Sequence, residues 1–352
     1  MMTKPGFRLA LLATGLALVV ILLGAYTRLT HAGLGCPDWP GCYGFISVPK
    51  TDVQLAYAEV RYPDSPVEAH KGRNEMLHRY FAGGLSLMIM MLGVHAWHRR
   101  HIAGQPVRLP LALVGVVFAQ AAFGMWTVTL KLWPQVVTAH LLGGVMTLSL
   151  LFMLTLRLSG RFEALAQLSP RLRRMAAVGM GLVVLQIALG GWVSSNYAAL
   201  ACIDLPTCHG QWWPNTDFAN GFHLTQHIGP NYLGGQLDSD ARTAIHLTHR
   251  IGALLVTFSL LALAWGLNRE GLRGMARLLV LALGGQIALG LSNVIFHLPL
   301  GVAVAHNAGA AALMLTMTLI NYRVRAVRAF APKRAPNFWH YANMMLHLGP
   351  HR

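Results

Sequence analysis

Eight long apolar runs dominate the sequence, and each is close to the roughly 20 residues that a helix needs to cross a bilayer core. Lipid offers no partner to an open backbone, so these runs are predicted to be helices. The charged share of 11% is less than half of that in soluble proteins, which excludes a soluble enzyme and a disordered chain. The predicted spans are residues 7–26, 77–97, 109–130, 136–156, 175–193, 244–267, 275–296 and 300–320.

The first run also has features of a signal peptide, because Lys4 and Arg8 precede an apolar segment. No small-residue cleavage site follows it; the chain continues from Gly24 as Gly-Ala-Tyr-Thr-Arg. The internal repeat described below also requires a helix at this place. We therefore expect the run to be the first transmembrane helix.

Basic residues lie mainly on one side of the predicted membrane. With the N-terminus on side one, 19 of the 28 Lys and Arg residues fall on that side, whereas ten of the 12 acidic residues fall on the other. The formal net charge of +16 then divides into +17 and −1. Positively charged loops stay in the cytoplasm, so both termini are predicted to be cytoplasmic. The charge is therefore a topology signal and does not support nucleic-acid binding.

The sequence repeats itself at an offset of 166 residues. The matched pairs are Gly24 and Gly190, Cys36 and Cys202, Cys42 and Cys208, Gly44 and Gly210, Gln120 and Gln286, Gly124 and Gly290, and His140 and His306. His78-Arg79 matches His249-Arg250 at an offset of 171, because the second outer loop has five extra residues. Two halves of four helices with the same orientation form a parallel repeat. The predicted fold is all-α: two tandem pseudo-symmetric four-helix bundles.

The repeat and the charge pattern also give domain limits, with chemistry expected near the long loops of the outer face. The predicted parts are an N-terminal bundle at residues 1–157 with an outer loop at 28–74, a cytoplasmic linker at 158–173, a C-terminal bundle at 174–322 with an outer loop at 194–242, and a basic cytoplasmic tail at 323–352.

All four cysteines lie in the outer loops, as two pairs six residues apart: Cys36 with Cys42, and Cys202 with Cys208. The oxidising side of a membrane permits disulfides, and the Pro and Gly residues between the cysteines let the chain turn back. The alternative is a metal site, although neither pair has the close Cys spacing typical of zinc. We predict two disulfides; the spacing does not distinguish structural from redox-active ones.

Four of the 17 histidines are predicted to lie inside the membrane. His78, His140, His249 and His306 each fall a turn or two inside the outer end of an even-numbered span, at depths that agree within about one turn. A lone intramembrane histidine is usually a hydrogen-bonded core residue, but two depth-matched histidines in each half favour ligands. Paired imidazoles are typical axial ligands of haem iron, whereas structural zinc needs further cysteine or carboxylate ligands.

Arg79 and Arg250 directly follow two of these histidines, near the outer face. They are candidates to pair with the propionates of bound haem. The alternative is that both side chains extend to the membrane interface without a ligand.

Glu75 stands three residues before His78, where the second half has His246 before His249. Residues three apart share a helix face, so Glu75 is expected to face the same ligand and to act as a proton acceptor or charge stabiliser. The alternative is a solvated carboxylate or one paired with a neighbouring arginine. The difference between the halves indicates that one haem is a substrate that is chemically modified and the other is retained.

Several motifs together resemble the haem A synthase family. They are GAYTRLTHAGLGCPDWP at 24–40, EMLHR at 75–79, TAH at 138–140, HLTHR at 246–250 and AHN at 305–307. The resemblance covers nearly all of residues 7–322. It implies a membrane oxidoreductase that oxidises the C8 methyl group of haem O to a formyl group by successive hydroxylations, which makes haem A for terminal oxidases.

The resemblance also implies a role for each motif. Haem O would lie between His78 and His140, and a haem b cofactor between His249 and His306. Glu75 matches the essential acid position of the family. The cysteine pair of the first outer loop matches Cys36–Cys42, and many members also have the second pair.

The implied partners are haem O, the haem O synthase that supplies it, an electron donor and the lipid bilayer; the sequence is compatible with a homo-oligomer. Residues 1–6 are too short for a transit peptide, which favours the bacterial inner membrane over the mitochondrial one.

Other functions explain part of the pattern. A di-haem membrane cytochrome for electron transfer accounts for four histidines in two bundles, but leaves Glu75 unexplained. A haem carrier without chemistry needs interrupted helices, and no span is convincingly interrupted. A protein whose histidines only pack the core does not account for the repeat.

Overall fold

The computed structural model describes residues 3–160 and 168–325, and within these ranges the fold is all-helical. Eight helices in these ranges are long and apolar enough to cross a membrane, which confirms the predicted number of spans. The helices are α1 (Phe7–Leu29), α2 (Asp52–Arg61), α3 (Ala69–His98), α4 (Arg108–Thr129), α5 (Pro134–Ser159), α6 (Pro170–Ser195), α7 (Phe218–Gly221), α8 (Ser239–Arg269), α9 (Arg273–Ile295) and α10 (Leu300–Arg325).

The helices are longer than the apolar runs that predicted them. Helix α3 begins about two turns before residue 77, and α8 begins more than a turn before residue 244. The first turn of α8 is stabilised by Asp238, whose side chain accepts a hydrogen bond from the backbone N–H of Ala241 at 2.8 Å. These polar turns extend the helices beyond the apolar runs, and the one that begins α3 carries Glu75.

The four long helices of the first half pack as a closed ring: α1 against α3, α3 against α4, α4 against α5, and α5 against α1. The second half packs in the same order, as α6, α8, α9 and α10. Contacts of α1 with α10, of α5 with α6 and of α5 with α10 join the two rings. Towards the inner face, leucines such as Leu148 and Leu151 fill the first ring, and Leu260 and Leu263 fill the second.

Both cysteine pairs are disulfides, with Sγ–Sγ distances of 2.04 Å for Cys36–Cys42 and 2.02 Å for Cys202–Cys208. This confirms the predicted pairing. Because each sulfur is bonded to its partner, the alternative of a cysteine metal site does not apply.

An aspartate closes the loop inside each disulfide. Asp38 accepts hydrogen bonds from the backbone N–H groups of Tyr43 and Gly44, at 2.6 and 2.7 Å. Asp204, which is 166 residues later in the sequence, accepts in the same way from His209 and Gly210 at 2.7 and 2.9 Å.

A segment of the second outer loop, residues 223–235, reaches across to the first half, and we call it the crossing segment. The Trp133 indole donates a hydrogen bond to the Gln226 carbonyl at 3.1 Å, and the Gln135 amide donates to Leu224 at 2.9 Å. The Tyr232 N–H donates to the carbonyl of Lys131 at 3.0 Å. The crossing segment therefore covers the outer turn between α4 and α5.

The predicted linker and tail fall partly outside the described residues, namely at 161–167 and 326–352. Helices α5 and α6 extend into the limits predicted for the linker. On the side opposite the disulfide loops, the Ser169 side chain caps α6 and donates a hydrogen bond to Glu270, which follows α8.

Candidate functional site

Each of the four predicted histidines packs its ring against a glycine on a neighbouring helix. The pairs are His78 with Gly24, His140 with Gly124, His249 with Gly190, and His306 with Gly290. A Cβ atom added to these glycines would lie 3.0 to 3.5 Å from the Cε1 atom of the facing imidazole. The glycines therefore make room for the rings, and the same arrangement occurs four times.

The four imidazoles form two pairs. Among the described residues, helices α3 and α5 do not pack against each other, so they lie diagonally across the first ring. Helices α8 and α10 lie diagonally across the second ring in the same way. His78 and His140 each contact a helix of the first ring, and His249 and His306 each contact a helix of the second. The two histidines of each pair are therefore carried by diagonal helices of one ring.

Three of the four imidazoles carry a buried Nδ1 atom with no hydrogen-bond partner: His78, His140 and His306. Leaving a buried polar atom unpaired costs free energy, so such atoms are rare in a finished core. A histidine binds haem iron through its Nε2 atom, so these Nδ1 atoms are not the ligating atoms, but they leave the imidazoles incompletely satisfied by the protein. The donor set and the glycines beside it fit a haem in each half.

One glutamine, Gln186, distinguishes the second pair, whereas Gln286 has a counterpart in Gln120 of the first half. The Gln186 amide lies 3.1 Å from Nδ1 of His249 and donates to the His249 carbonyl at 2.9 Å. The Gln286 amide lies 3.4 Å from Nε2 of His306. Sequence analysis missed Gln186, although a polar residue inside an apolar run was a usable signal; its counterpart in the first half is Val20.

Glu75 is 4% exposed, so the alternative of a solvated carboxylate is wrong. Its Oε2 atom accepts a hydrogen bond from the backbone N–H of Cys36 at 2.9 Å, and its Oε1 atom forms an ion pair with Arg79. The carboxylate is therefore held at the outer end of α3, one turn from His78.

Arg79 and Arg250 both bind carbonyl groups of a disulfide loop. Arg79 donates to Asp38 at 2.9 Å and also to Gly41. Arg250 donates to Thr207 and Cys202, both at 2.9 Å. These contacts differ from the alternative of free extension to the interface, and they fix each loop over the histidine beside the arginine; pairing with haem propionates stays a prediction. The Nε atom of Arg250 is buried without a partner, so one donor remains for a ligand.

The second half replaces the buried carboxylate with an imidazole. His246 is buried, and its Nδ1 atom lies 2.9 Å from the carbonyl oxygen of Ala198. The two halves thus share the histidine–glycine pairs and the arginine contacts, but a carboxylate stands beside the ligand pair in the first half alone.

Comparisons with known proteins identify the family. A family model described as cytochrome oxidase assembly protein, COX15-CtaA, matches residues 7–318. A haem A synthase of Shewanella oneidensis is 48% identical over 308 residues, which cover 87% of this chain and 92% of that protein. A haem A synthase of Sphingopyxis alaskensis is 27% identical over 88% of this chain and 89% of its own, and one of Maricaulis maris is 28% identical over 90% and 94%.

Proposed function

Because the chain belongs to the COX15-CtaA family of cytochrome oxidase assembly proteins, we propose that it is a haem A synthase, a multi-pass membrane enzyme that converts haem O to haem A. The reaction oxidises the C8 methyl group of haem O to a formyl group by successive hydroxylations. The observation that carries the proposal is the buried Glu75 carboxylate beside one of two otherwise matched histidine pairs.

The proposed architecture is two tandem pseudo-symmetric bundles with both termini in the cytoplasm. The identical order of helix contacts in the two rings supports it, because exchanging the halves converts the α1–α10 contact into the α5–α6 contact. The four histidine–glycine pairs support it as well. The bundles correspond to residues 1–157 and 174–322, and the charge pattern supports their orientation.

The two pairs take different haems in this proposal. His78 and His140 bind haem O as substrate, and His249 and His306 bind haem b as the retained cofactor. A bound haem supplies the redox chemistry, whereas the protein supplies ligation, orientation and electrostatics. The amide of Gln186, close to His249, orients that imidazole and supports a permanent ligand role in the second half.

Glu75 acts on the substrate half. Its two oxygens are fixed by the Cys36 N–H and the Arg79 guanidinium, so the carboxylate keeps one position as the reaction proceeds. A fixed, buried carboxylate accepts a proton or stabilises positive charge that develops near it. The disulfide loop above it excludes water from this end of the bundle.

The remaining partners follow from the substrate. Haem O carries an apolar tail and is met within the lipid, so a haem O synthase in the same membrane supplies it and a separate electron donor serves the oxidation. The proposed location is the bacterial inner membrane, and a homo-oligomer is compatible with these roles.

Extraction of pigments from the protein purified from cells that make haem O tests the proposal. Haem A together with haem B is expected. Haem B alone, with no turnover of added haem O, would instead indicate a di-haem electron-transfer cytochrome. Glu75→Gln is expected to retain haem and make no haem A, whereas Glu68→Gln, at an exposed ion pair with Lys71, is the matched control and should make haem A normally.

A further inference from the structure

Arg28, at the outer end of α1, reaches from the first half of the molecule to the second. Its guanidinium donates a hydrogen bond to the backbone carbonyl of Ser194 in α6. It also lies over the ring of Tyr197, with 4.0 Å between the guanidinium carbon and the ring centroid. Arg28 therefore stands at the junction of the two helix rings.

The same junction contains a stacked ring pair. His31 and Tyr197 stack with their centroids 5.5 Å apart and their planes 9° from parallel. The two residues are 166 positions apart and share an unusual positive φ, of 53° and 56°, so they hold equivalent places in the two repeats. Arg28 has no such equivalent, because Ser194 occupies its place in the second half.

The junction is positively charged and has no counter-ion. Within residues 3–160 and 168–325, no carboxylate lies within ion-pair distance of Arg28. The Nε atom of Arg28 and the hydroxyl of Tyr197 are both buried without a hydrogen-bond partner. Burial, together with the charges of Arg28 and Lys71, lowers the pKa of the His31 imidazole below its ordinary value.

A second arginine adds to this charge. A Cβ atom on Gly235 would lie 3.3 Å both from a terminal nitrogen of Arg242 and from the Tyr197 ring, so the Arg242 guanidinium and this ring flank the same glycine. The Nε atom of Arg242 is also buried without a partner. A guanidinium taken out of water needs an anionic or hydrogen-bonding partner, and a carboxylate matches its planar donors best.

The unpaired donors lie at the outer end of the first-half site. Gly24, one turn inward on α1, packs against His78, so the backbone of Arg28 is about 6 Å further out along the helix. The Thr27 hydroxyl donates to the carbonyl of Asn74 at 3.3 Å, next to Glu75. A ligand held by His78 thus has these donors at its outward edge.

We infer that Arg28 and the Tyr197 hydroxyl bind a propionate carboxylate of the haem held in the first half. The inference rests on the proposed function and deepens it, since the second half then contributes a residue to the substrate site. Arg28 and Tyr197 are positioning residues here, because they bind a group remote from the oxidised methyl. A lipid phosphate offers the same anionic oxygens, so the experiment must separate the two sources.

Haem titration of the full-length protein in phosphatidylcholine nanodiscs tests this, with ferric haem b and its dimethyl ester as probes. The wild type is expected to bind the free acid about tenfold more tightly than the ester. Arg28→Gln should lose this preference while its affinity for the ester is unchanged. Tyr197→Phe keeps the ring stack and should lose a smaller part of the preference for the free acid. Arg28→Lys keeps the charge and should retain some preference.

Arg269→Gln is the matched control, because that guanidinium lies over Trp265, 4.9 Å from its ring centroid, at the inner end of α8. Its preference should equal that of the wild type. An equal preference in wild type and Arg28→Gln would overturn the inference. If Arg28→Gln changes haem binding only by removing competition from added phosphatidylglycerol, the site binds a lipid phosphate. That result would also overturn the inference. If His78→Ala leaves haem binding unchanged, the proposed function fails instead.

Discussion

The Glu75 carboxylate accepts a 2.9 Å hydrogen bond from the backbone N–H of Cys36, which is itself part of a disulfide. This hydrogen bond links the first disulfide loop directly to the buried acid of α3. The second half has no such link among its described residues, since His246 replaces the acid. The two disulfides are therefore expected to differ in what they support.

Removing the first disulfide should impair the reaction more than removing the second. Cys36→Ser/Cys42→Ser loosens the loop that orients Glu75, so haem A formation should fall at least about tenfold while the retained haem b stays bound. Cys202→Ser/Cys208→Ser is the matched control; it should cost stability, about 2 kcal/mol, and leave Glu75 in place. Equal loss of haem A in both double variants would contradict this assignment.

A side chain at the glycines that face the histidines should expel haem from one half at a time. The Cβ of Gly24→Val would lie 3.0 Å from the His78 ring, and that of Gly290→Val 3.2 Å from the His306 ring. Overpacking of this kind should weaken haem binding by about tenfold in the half concerned. Pigment stoichiometry and the Soret spectrum report the loss.

Glycines on the same helices provide the controls. Gly15 in α1 and Gly284 in α9 have open space where a Cβ would be added. Gly15→Ala and Gly284→Ala should bind haem normally and unfold at an unchanged or slightly higher temperature, because alanine favours a helix. Loss of haem in either control would show that the effect is not local to the histidines.

Arg79→Gln should destabilise the protein because it leaves the buried Glu75 carboxylate without its cation. Breaking such a pair costs about 3 kcal/mol. Arg79→Gln/Glu75→Gln should recover much of that stability but no haem A formation. Glu68→Gln breaks an exposed pair and should change the free energy of unfolding by less than about 1 kcal/mol. Thermal unfolding and pigment analysis of the wild type and these three variants separate the stabilising role of the Glu75–Arg79 pair from its chemical role.

The second disulfide loop should resist acid. Hydrogen bonds from the Thr207 hydroxyl and from the backbone N–H groups of Gly210 and His209 lower the pKa of the Asp204 carboxyl well below its ordinary value. A lowered folded-state pKa stabilises the loop above the ordinary pKa, and this contribution disappears only as the pH falls through the lowered value. Trp212 and Trp213 are exposed nearby, and their fluorescence emission should therefore stay unchanged as the pH falls below about 4. Asp204→Asn should abolish the acid transition; an unchanged transition would contradict the assignment.

The eight spans were predictable because a bilayer imposes one length and one polarity on every helix that crosses it. The histidine pairs were predictable because a depth in the membrane can be counted along each helix. The polar first turns of α3 and α8 were not predictable from hydropathy. The apolar pattern that marks a span ends where the lipid ends, whereas the helix continues beyond it.

The contacts of Glu75, Arg79 and Arg28 were beyond sequence reasoning for a different reason. Apart from the Glu75–Arg79 ion pair, which joins residues four apart on one helix, each contact joins residues 38 or more positions apart, and no local pattern records such a contact. The sequence predicted an acid beside His78, and the structure shows what holds it. Gln186 was overlooked because its pattern of neighbours is that of an ordinary apolar helix.

The crossing segment has a consequence for how such a chain can be rearranged. Its hydrogen bonds to Lys131, Trp133 and Gln135 run from the later half to the earlier one, and the five extra residues that extend this loop have no counterpart in the first. A tandem of two earlier halves would lack this cover over either outer turn. The two copies are therefore no longer interchangeable at this face, because only the later one supplies the cover.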